Sequence, residues 1–373
     1  MKILMFSADP NILDASSAVA QRMIEYGKRV EKLDILVLTP HLAVRPPSGV
    51  ELADNTGVYA LTGRFLRFLK AFFKSRHLIK KEKYDLLVAQ DIEHAFICWL
   101  LSFFFKIKWQ MQIHGDIFSP YFTRHRMSNK LRVILAKFLI PRANCTRVVS
   151  DRIKNSILRT FDVQADVERP SVAVLPILSL PQDLNIEPKK FPEFDKTILM
   201  VSRLTSEKNI GLAINAMAEV VKKHPKTGLI IVGDGPERQN LESRIRNLEL
   251  QKNIKMDGWQ DSVAQYYKDA DIFLLTSLYE GWGMSAVEAM RYGAAVAMTD
   301  VGLAGEVIED GKSGLVVPVN DKNALVVALL RFLESDNLRR DLAEAAAKKV
   351  KELPSEEEYY QKMVESWQKC RLT

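Results

Sequence analysis

The chain has 373 residues, 47% of them apolar and 27% charged, the balance of an ordinary globular protein with room for two cores. Lys and Arg number 53 against 46 Asp and Glu, a surplus too small and too local for a general polyanion binder. The three cysteines, Cys98, Cys145 and Cys370, lie far apart without a CxxC pair, which argues against a disulfide framework or zinc knuckle and for a reducing cytoplasm.

The N-terminal MKILMFSADP predicts a strand over residues 3–6 and a turn, with no apolar run of secretory length. In the loop that follows, Ser16 and Ser17 are placed to cap a helix N-terminus, and their hydroxyls also make them acceptor-side candidates. A second strand is expected over 35–38. Residues 64–83 then hold eight Lys or Arg and one acid, Glu82, a net +7 that equals the surplus of the whole chain. Phe65, Phe68, Leu69, Phe72 and Phe73 form an apolar stripe there, flanked by Arg64, Arg67, Lys70 and Lys74. An ordinary helix packed on a sheet accounts for this pattern. So does a helix lying on an anionic membrane. No recognition motif accompanies the charge, so nucleic acid is not an expected partner.

Strands are predicted next over 86–89, 109–113 and 172–175. The most apolar stretch, AFICWLLSFFF at 95–105, is far short of a membrane span and predicts a buried or interfacial helix. His114 and Asp116 follow a strand in WQMQIHGDIF, at the end of a parallel sheet where ligands bind. Residues 178–196 contain three prolines and no regular period, the composition of a linker. Beyond it, strands are expected over 198–201, 229–232, 254–256, 272–276, 295–298 and 315–317, with helices over 210–221 and 324–333 among them. This alternation predicts parallel sheets with crossover helices. The expected domains are 1–178, a linker at 179–196, and 197–354. Residues 355–373 form an amphipathic helix with Tyr359, Met363 and Trp367 at four-residue spacing, suited to cover the first domain.

The richest chemistry lies in FLLTSLYEGWGMSAVEAMRYG, residues 273–293. A buried strand, a glycine-containing loop and a helix starting near Met284 place Glu280 in the loop and Glu288 one turn into the helix. The amide groups of Gly283, Met284 and Ser285 make an anion site at that helix start, and Gly281 and Gly283 allow close backbone approach. Upstream, VSRLTSEKNI carries Arg203 and Lys208 at the carboxyl end of a strand. A forked guanidinium and a point charge there suit a diphosphate leaving group.

Four segments, EGWGMSAVE, SRLTSEKN, VGDGPE and DGKSGLVVP, stand in order across 197–320. In this set the chain resembles the retaining glycosyltransferases of family 4, whose signature is two glutamates separated by seven residues. The resemblance implies the GT-B fold, two doubly wound Rossmann-like α/β domains facing a central cleft; with the two cations in one domain and His114 in the other, transfer is expected to require closure around the linker. It implies Arg203 and Lys208 on the donor phosphates, Glu288 on the ribose, Glu280 on the transferred sugar, and Gly233 and Gly235 in a turn lining the nucleotide pocket. His114 would face the donor sugar. The loop after the first strand lacks the glycine pair common in that family, which puts the acceptor in question more than the donor. No metal and no cofactor are expected, the nucleotide-sugar being a co-substrate. The acceptor would be a glycan or lipid-linked glycan, and the enzyme cytoplasmic, peripheral on the inner face of the membrane through residues 64–83. A dinucleotide oxidoreductase lacks its glycine fingerprint here. Asp269 and Asp271, a conceivable metal pair, precede a strand and so stand at the edge away from the ligand end. A non-catalytic nucleotide-sugar-binding protein and a nucleotide-sugar epimerase are the competing readings.

Overall fold

The computed structural model describes residues 1–40, 50–64, 66–125, 127–162, 171–177 and 185–373. Phe65 of the predicted stripe and residues 178–184 of the predicted linker lie outside these. The chain divides into two units, one of 1–118, 126–176 and 355–373, the other of 119–125 and 177–354.

The first unit is built on β1 (Lys2–Ser7), α1 (Ala18–Gly27), β2 (Lys32–Thr39), β3 (Val50–Ala53), β4 (Thr56–Thr62), α2 (Leu66–Lys81), β5 (Leu86–Ala89), α3 (Ile92–Phe105) and β6 (Lys108–Ile113). After a short helix, α4 (Pro120–His125), which counts with the second unit, come α5 (Met127–Leu139), β7 (Cys145–Val148), α6 (Asp151–Thr160) and β8 (Val172–Val174). The strands form one sheet in the order β3-β4-β2-β1-β5-β6-β7-β8, parallel except for β3 at the edge. Ile3, Leu4, Met5 and Phe6 of β1 are all fully buried, as a central strand covered on both faces requires. Successive strands wind outward in opposite directions from β1 and β5, so the sheet has its topological switch between them.

The second unit contains β9 (Lys196–Val201), α7 (Ile210–Lys223), β10 (Thr227–Val232), α8 (Arg238–Asn247), β11 (Ile254–Gly258), α9 (Ala264–Asp269), β12 (Ile272–Leu275), α10 (Met284–Arg291), β13 (Ala295–Thr299), β14 (Leu315–Val317), α11 (Lys322–Glu334) and α12 (Asp336–Lys351). Its sheet order is β11-β10-β9-β12-β13-β14, every pairing parallel. The switch here falls between β9 and β12. The loops that leave these two strands therefore part in opposite directions and open a crevice at their carboxyl ends.

The last helix, α13 (Glu356–Leu372), starts with a capping box between Ser355 and Glu358 and packs within the first unit. Tyr359, Met363 and Trp367 are buried, Tyr359 shares a 3.0 Å hydroxyl contact with Tyr26, and Ser366 accepts a 2.8 Å bond from Gln110 of β6. Two features of the first unit depart from the sequence reading. The hairpin β3–β4 and the strand β7 were not anticipated, the latter because Arg147 interrupts a short run yet is buried, donating to the Leu175 carbonyl at 2.7 Å. The apolar stripe of α2 is not its core face. That helix buries Ala71, Ser75 and Leu78 and leaves Leu69 and Phe73 exposed, because the small pair at four-residue spacing lets the helix approach the sheet closely.

Candidate active site

The loop leaving β9 runs from Ser202 to Asn209, and the loop leaving β12 from Thr276 to Gly283. They are stitched together at the switch. The Thr276 hydroxyl donates to the carbonyls of Lys208 and Asn209 at 2.9 and 3.1 Å, and the Leu278 amide to the Glu207 carbonyl at 2.8 Å. Asn209 takes the left-handed conformation, φ 48°, that ends the first loop and starts α7. This stitching sets Lys208 against Glu280: its Nζ donates to Oε1 at 2.5 Å, and Ser277 Oγ donates to the same oxygen at 2.7 Å. Ser202, Lys208, Ser277, Glu280 and Ser285 line one cavity at the carboxyl ends of β9 and β12. The Oγ of Ser202 is buried there without a protein hydrogen-bond partner.

Arg203 stands out in solvent with its side chain 73% exposed, near Glu207 at 3.7 Å. Such a pair in water contributes little, which leaves the guanidinium available to an anionic ligand. Gly283, at φ 106°, precedes α10, so the first-turn amides of Met284 and Ser285 have no partner inside the helix. One turn on, Glu288 accepts a 2.8 Å bond from the Tyr267 hydroxyl of α9, whose ring stacks on Tyr292. Burial raises the Glu288 carboxyl above its usual range, outweighing the opposing pull of the Tyr267 hydroxyl and of Arg291.

Two further loops complete this end of the sheet. Gly233 has φ 136° and its α-carbon faces the Ser202 carbonyl so closely that a Cβ would come within 1.9 Å of the oxygen. Gly235 is set less tightly against the Leu204 carbonyl, a Cβ there falling 2.5 Å from the oxygen. The loop after β13 supports Gly281 and its neighbours: a Cβ on Gly302, at φ 55°, would fall 2.3 Å from the Trp282 carbonyl and 3.0 Å from Glu280 Cβ. Ser202, Ser277, Tyr267 and Gly302 escaped the sequence reading. Ser277 sits three residues before Glu280 and was the one with a local signal; Tyr267 and Gly302 reach their partners only through the fold.

In the first unit, His114 follows β6 with an exposed ring. Crowding by the surrounding protein, then the charges of Arg147 and Arg22, lower its pKa to about 3. The imidazole is therefore neutral at neutral pH. Asp116 accepts a 3.0 Å bond from Ser156 of α6, which fixes the loop. Ser17 caps α1, accepting from the Ala20 amide at 3.0 Å, and Ser16 donates to Asp14 at 2.7 Å. Ser17 thus serves the start of α1, and Ser16 the turn before it. Asp271 accepts from the Thr197 amide at 2.9 Å and Asp269 pairs with Lys190 at 2.9 Å, so both carboxylates bind the protein's own groups at the amino end of the sheet. Among the described residues no group of three His, Cys, Asp or Glu side chains is disposed to hold a metal ion.

Residues 181–349, which contain this whole loop cluster, match the family model of glycosyl transferases group 1. N-acetyl-alpha-D-glucosaminyl L-malate synthase of Bacillus anthracis is 25% identical over 284 residues, 75% of this chain and 73% of that enzyme. The chain is a glycosyltransferase. Alpha-monoglucosyldiacylglycerol synthase of Streptococcus pneumoniae is 31% identical to this glycosyltransferase over 147 residues, 39% of the chain but only 32% of the relative. Among solved structures, a sucrose-phosphate synthase from Thermosynechococcus elongatus superposes with a TM-score of 0.81 at 21% identity, covering 99% of this chain and 98% of its own. Anabaena Alr3699/HepE, solved in complex with UDP, gives 0.72 at 20% identity over 99% and 100%. These structures share the GT-B type of fold, with parallel-sheet Rossmann-like domains, and the glycosyltransferase described here has it too.

Proposed function

We propose that this glycosyltransferase is a retaining, metal-independent enzyme of family 4 that moves a hexosyl group from a nucleoside diphosphate sugar to a glycan or lipid-linked glycan. The observation that carries the reading is the joining of Lys208, Glu280, Ser285 and the exposed Arg203 at one sheet switch. Two cations and helix-start amides suit a departing diphosphate; the carboxylate beside Lys208 suits sugar hydroxyls. In the reaction, the bond from the anomeric carbon to the diphosphate oxygen breaks and the acceptor oxygen bonds the same face of that carbon. The acceptor proton passes to a phosphate oxygen, so no protein nucleophile is required. Arg203 and Lys208 stabilise the charge that develops on the diphosphate, Glu288 holds the ribose and Glu280 the transferred sugar. His114, neutral, donates or accepts a hydrogen bond at that sugar, and Asp116, Ser16 and Ser17 belong to the acceptor side.

The product would enter a cell-surface polysaccharide or glycolipid, and the enzyme would work in the cytoplasm at an anionic membrane surface contacted through residues 64–83. The glycolipid reading is supported by the pneumococcal relative, named as a diacylglycerol glycolipid synthase. Screening UDP-, GDP-, ADP- and dTDP-sugars for thermal stabilisation identifies the donor. With that donor, NMR of the first-formed product is expected to show the donor's anomeric configuration. An inverted product would remove the assignment to family 4.

A further inference from the structure

The first unit carries an apolar face that the proposed chemistry leaves unused. α2, α3 and α5 are crossovers running in one direction across the sheet, and right-handed connections place such helices on the same side, with α3 between the other two. Of the fourteen large apolar side chains exposed among the described residues, ten stand on these three helices. Their rings form a chain, Phe73 to Phe72 at 5.8 Å, Phe72 to Phe104 at 6.2 Å and Phe104 to Phe103 at 5.5 Å, while Trp99 of α3 meets Phe138 of α5 at 5.0 Å. Phe103 and Phe104 are 64% and 63% exposed, Leu131 and Ile134 67% and 65%. A patch that continuous marks a surface meant to be covered.

The charge on the same helices says by what. α2, α3 and α5 together carry nine Lys or Arg and a single acid, Glu93, which is held by Arg132 of α5 at 2.5 Å. Cations also edge the rings: Lys106 lies 5.3 Å from the Phe103 ring and Arg142 3.9 Å from the Phe138 ring. A second copy of this face would meet it with like charge. Nucleic acid would use the cations and leave the exposed aliphatic groups in water. A layer of acidic headgroups over hydrocarbon satisfies both parts at once.

We infer that α2, α3 and α5 form a single face that lies on an anionic bilayer, with Phe73, Phe103, Phe104, Leu131 and Ile134 entering the headgroup boundary. This deepens the membrane part of the proposed function and rests on it, replacing contact through residues 64–83 alone by a three-helix surface. Its binding has two parts, one screened by salt and one not.

The test is co-sedimentation with phosphatidylcholine vesicles, with and without phosphatidylglycerol, at low and at molar salt. The wild type should pellet with the anionic vesicles at low salt and remain partly bound in molar salt. The variant F103S/F104S/I134S, altered only at exposed positions, should still bind at low salt and be released by molar salt. The variant R76E/K80E/K81E should bind at least tenfold less at low salt. Wild-type protein left in the supernatant at low salt overturns the inference, as does binding that neither variant changes. A dimer in sedimentation velocity, broken by F103S/F104S/I134S and without vesicle binding, would make the face a self-association surface and overturn it too. Thermal stabilisation by UDP, GDP, ADP and dTDP, measured on the same variants, reads the nucleotide site separately. Lost vesicle binding with retained nucleotide binding therefore faults the membrane claim and not the catalytic one.

Discussion

Lys208 and Glu280 come from loops 72 residues apart and close a 2.5 Å ion pair where β9 and β12 part. Both side chains are largely withdrawn from solvent, at 18% and 14% exposure. On the proposed reading the ammonium serves the donor diphosphate and the carboxylate the transferred sugar. Donor binding would then be an exchange of partners, in which Lys208 gains phosphate and Glu280 gains hydroxyls.

Removing either cation of the loop after β9 should act on turnover. Arg203→Ala and Lys208→Met are each expected to lower kcat by roughly 10²-fold or more, a few kcal/mol of transition-state stabilisation. Chelation with EDTA should leave the wild-type rate unchanged. Loss of transfer on chelation, with Arg203→Ala fully active, would show that a metal and not this clamp carries the diphosphate.

Stability should report the same pair differently. Lys208→Met or Glu280→Gln alone leaves a part-buried polar group short of a partner, at a cost of roughly 1–3 kcal/mol. The double variant should recover part of that cost in a thermal melt, while transfer stays lost. Additive melting losses would mean that the two side chains are not coupled.

Glu288 gives a pH dependence of unusual sign. Its carboxyl is raised above 4.5 in the folded protein, chiefly by burial, so between 4.5 and the raised value the folded state holds more protons than the unfolded one. Its contribution to stability is therefore greatest below pH 4.5 and falls as pH rises through that window. Glu288→Gln should remove this slope and raise the melting temperature at pH 7, while weakening donor binding. Tyr267→Phe removes a hydrogen bond that favours the carboxylate and should steepen the slope. Thermal melts across pH 4 to 8, as a rough range around the carboxylate values, compare the three proteins; a melting temperature lowered by Glu288→Gln at pH 7 would contradict the account.

Gly233→Ala should be severe for a residue without a side chain. The new Cβ would meet the Ser202 carbonyl at 1.9 Å, and φ 136° is strained for alanine. Displacing Ser202 moves the start of the loop that carries Arg203 and Lys208. The expected result is a destabilisation of about 2 kcal/mol or more together with loss of stabilisation by nucleotide. Gly293, with no atom near an added Cβ, is the control for strain alone.

The local part of this enzyme was legible in the sequence. The run ending at Leu275 is a buried strand, Gly283 ends the loop and Met284 starts the helix, so the spacing of Glu280 and Glu288 could be placed on the chain without tertiary information. Strand, loop and helix start are set by residues within a few positions of one another, through burial period, glycine conformation and unpaired amides. Sequence spacing also showed that α2 is amphipathic. It did not show which of its faces would be covered, because Phe72 and Phe73 outrank Ala71 and Ser75 in apolarity while the smaller pair permits the closer approach to the sheet.

The pairing of Lys208 with Glu280, the Tyr267 hydrogen bond to Glu288 and the Gly302 support under Trp282 were decided by the fold alone. Each joins residues that follow different strands. Strand order, β9 beside β12 and β13 beyond, determines which loops meet, and a parallel sheet can be wound in several orders from the same alternation of elements. The sequence by itself determined which side chains carry the charge and, to within two residues, where the strands of the second unit stop. Only the packing of the sheet determined that those side chains meet, because contact between loops follows strand neighbourhood and not distance along the chain.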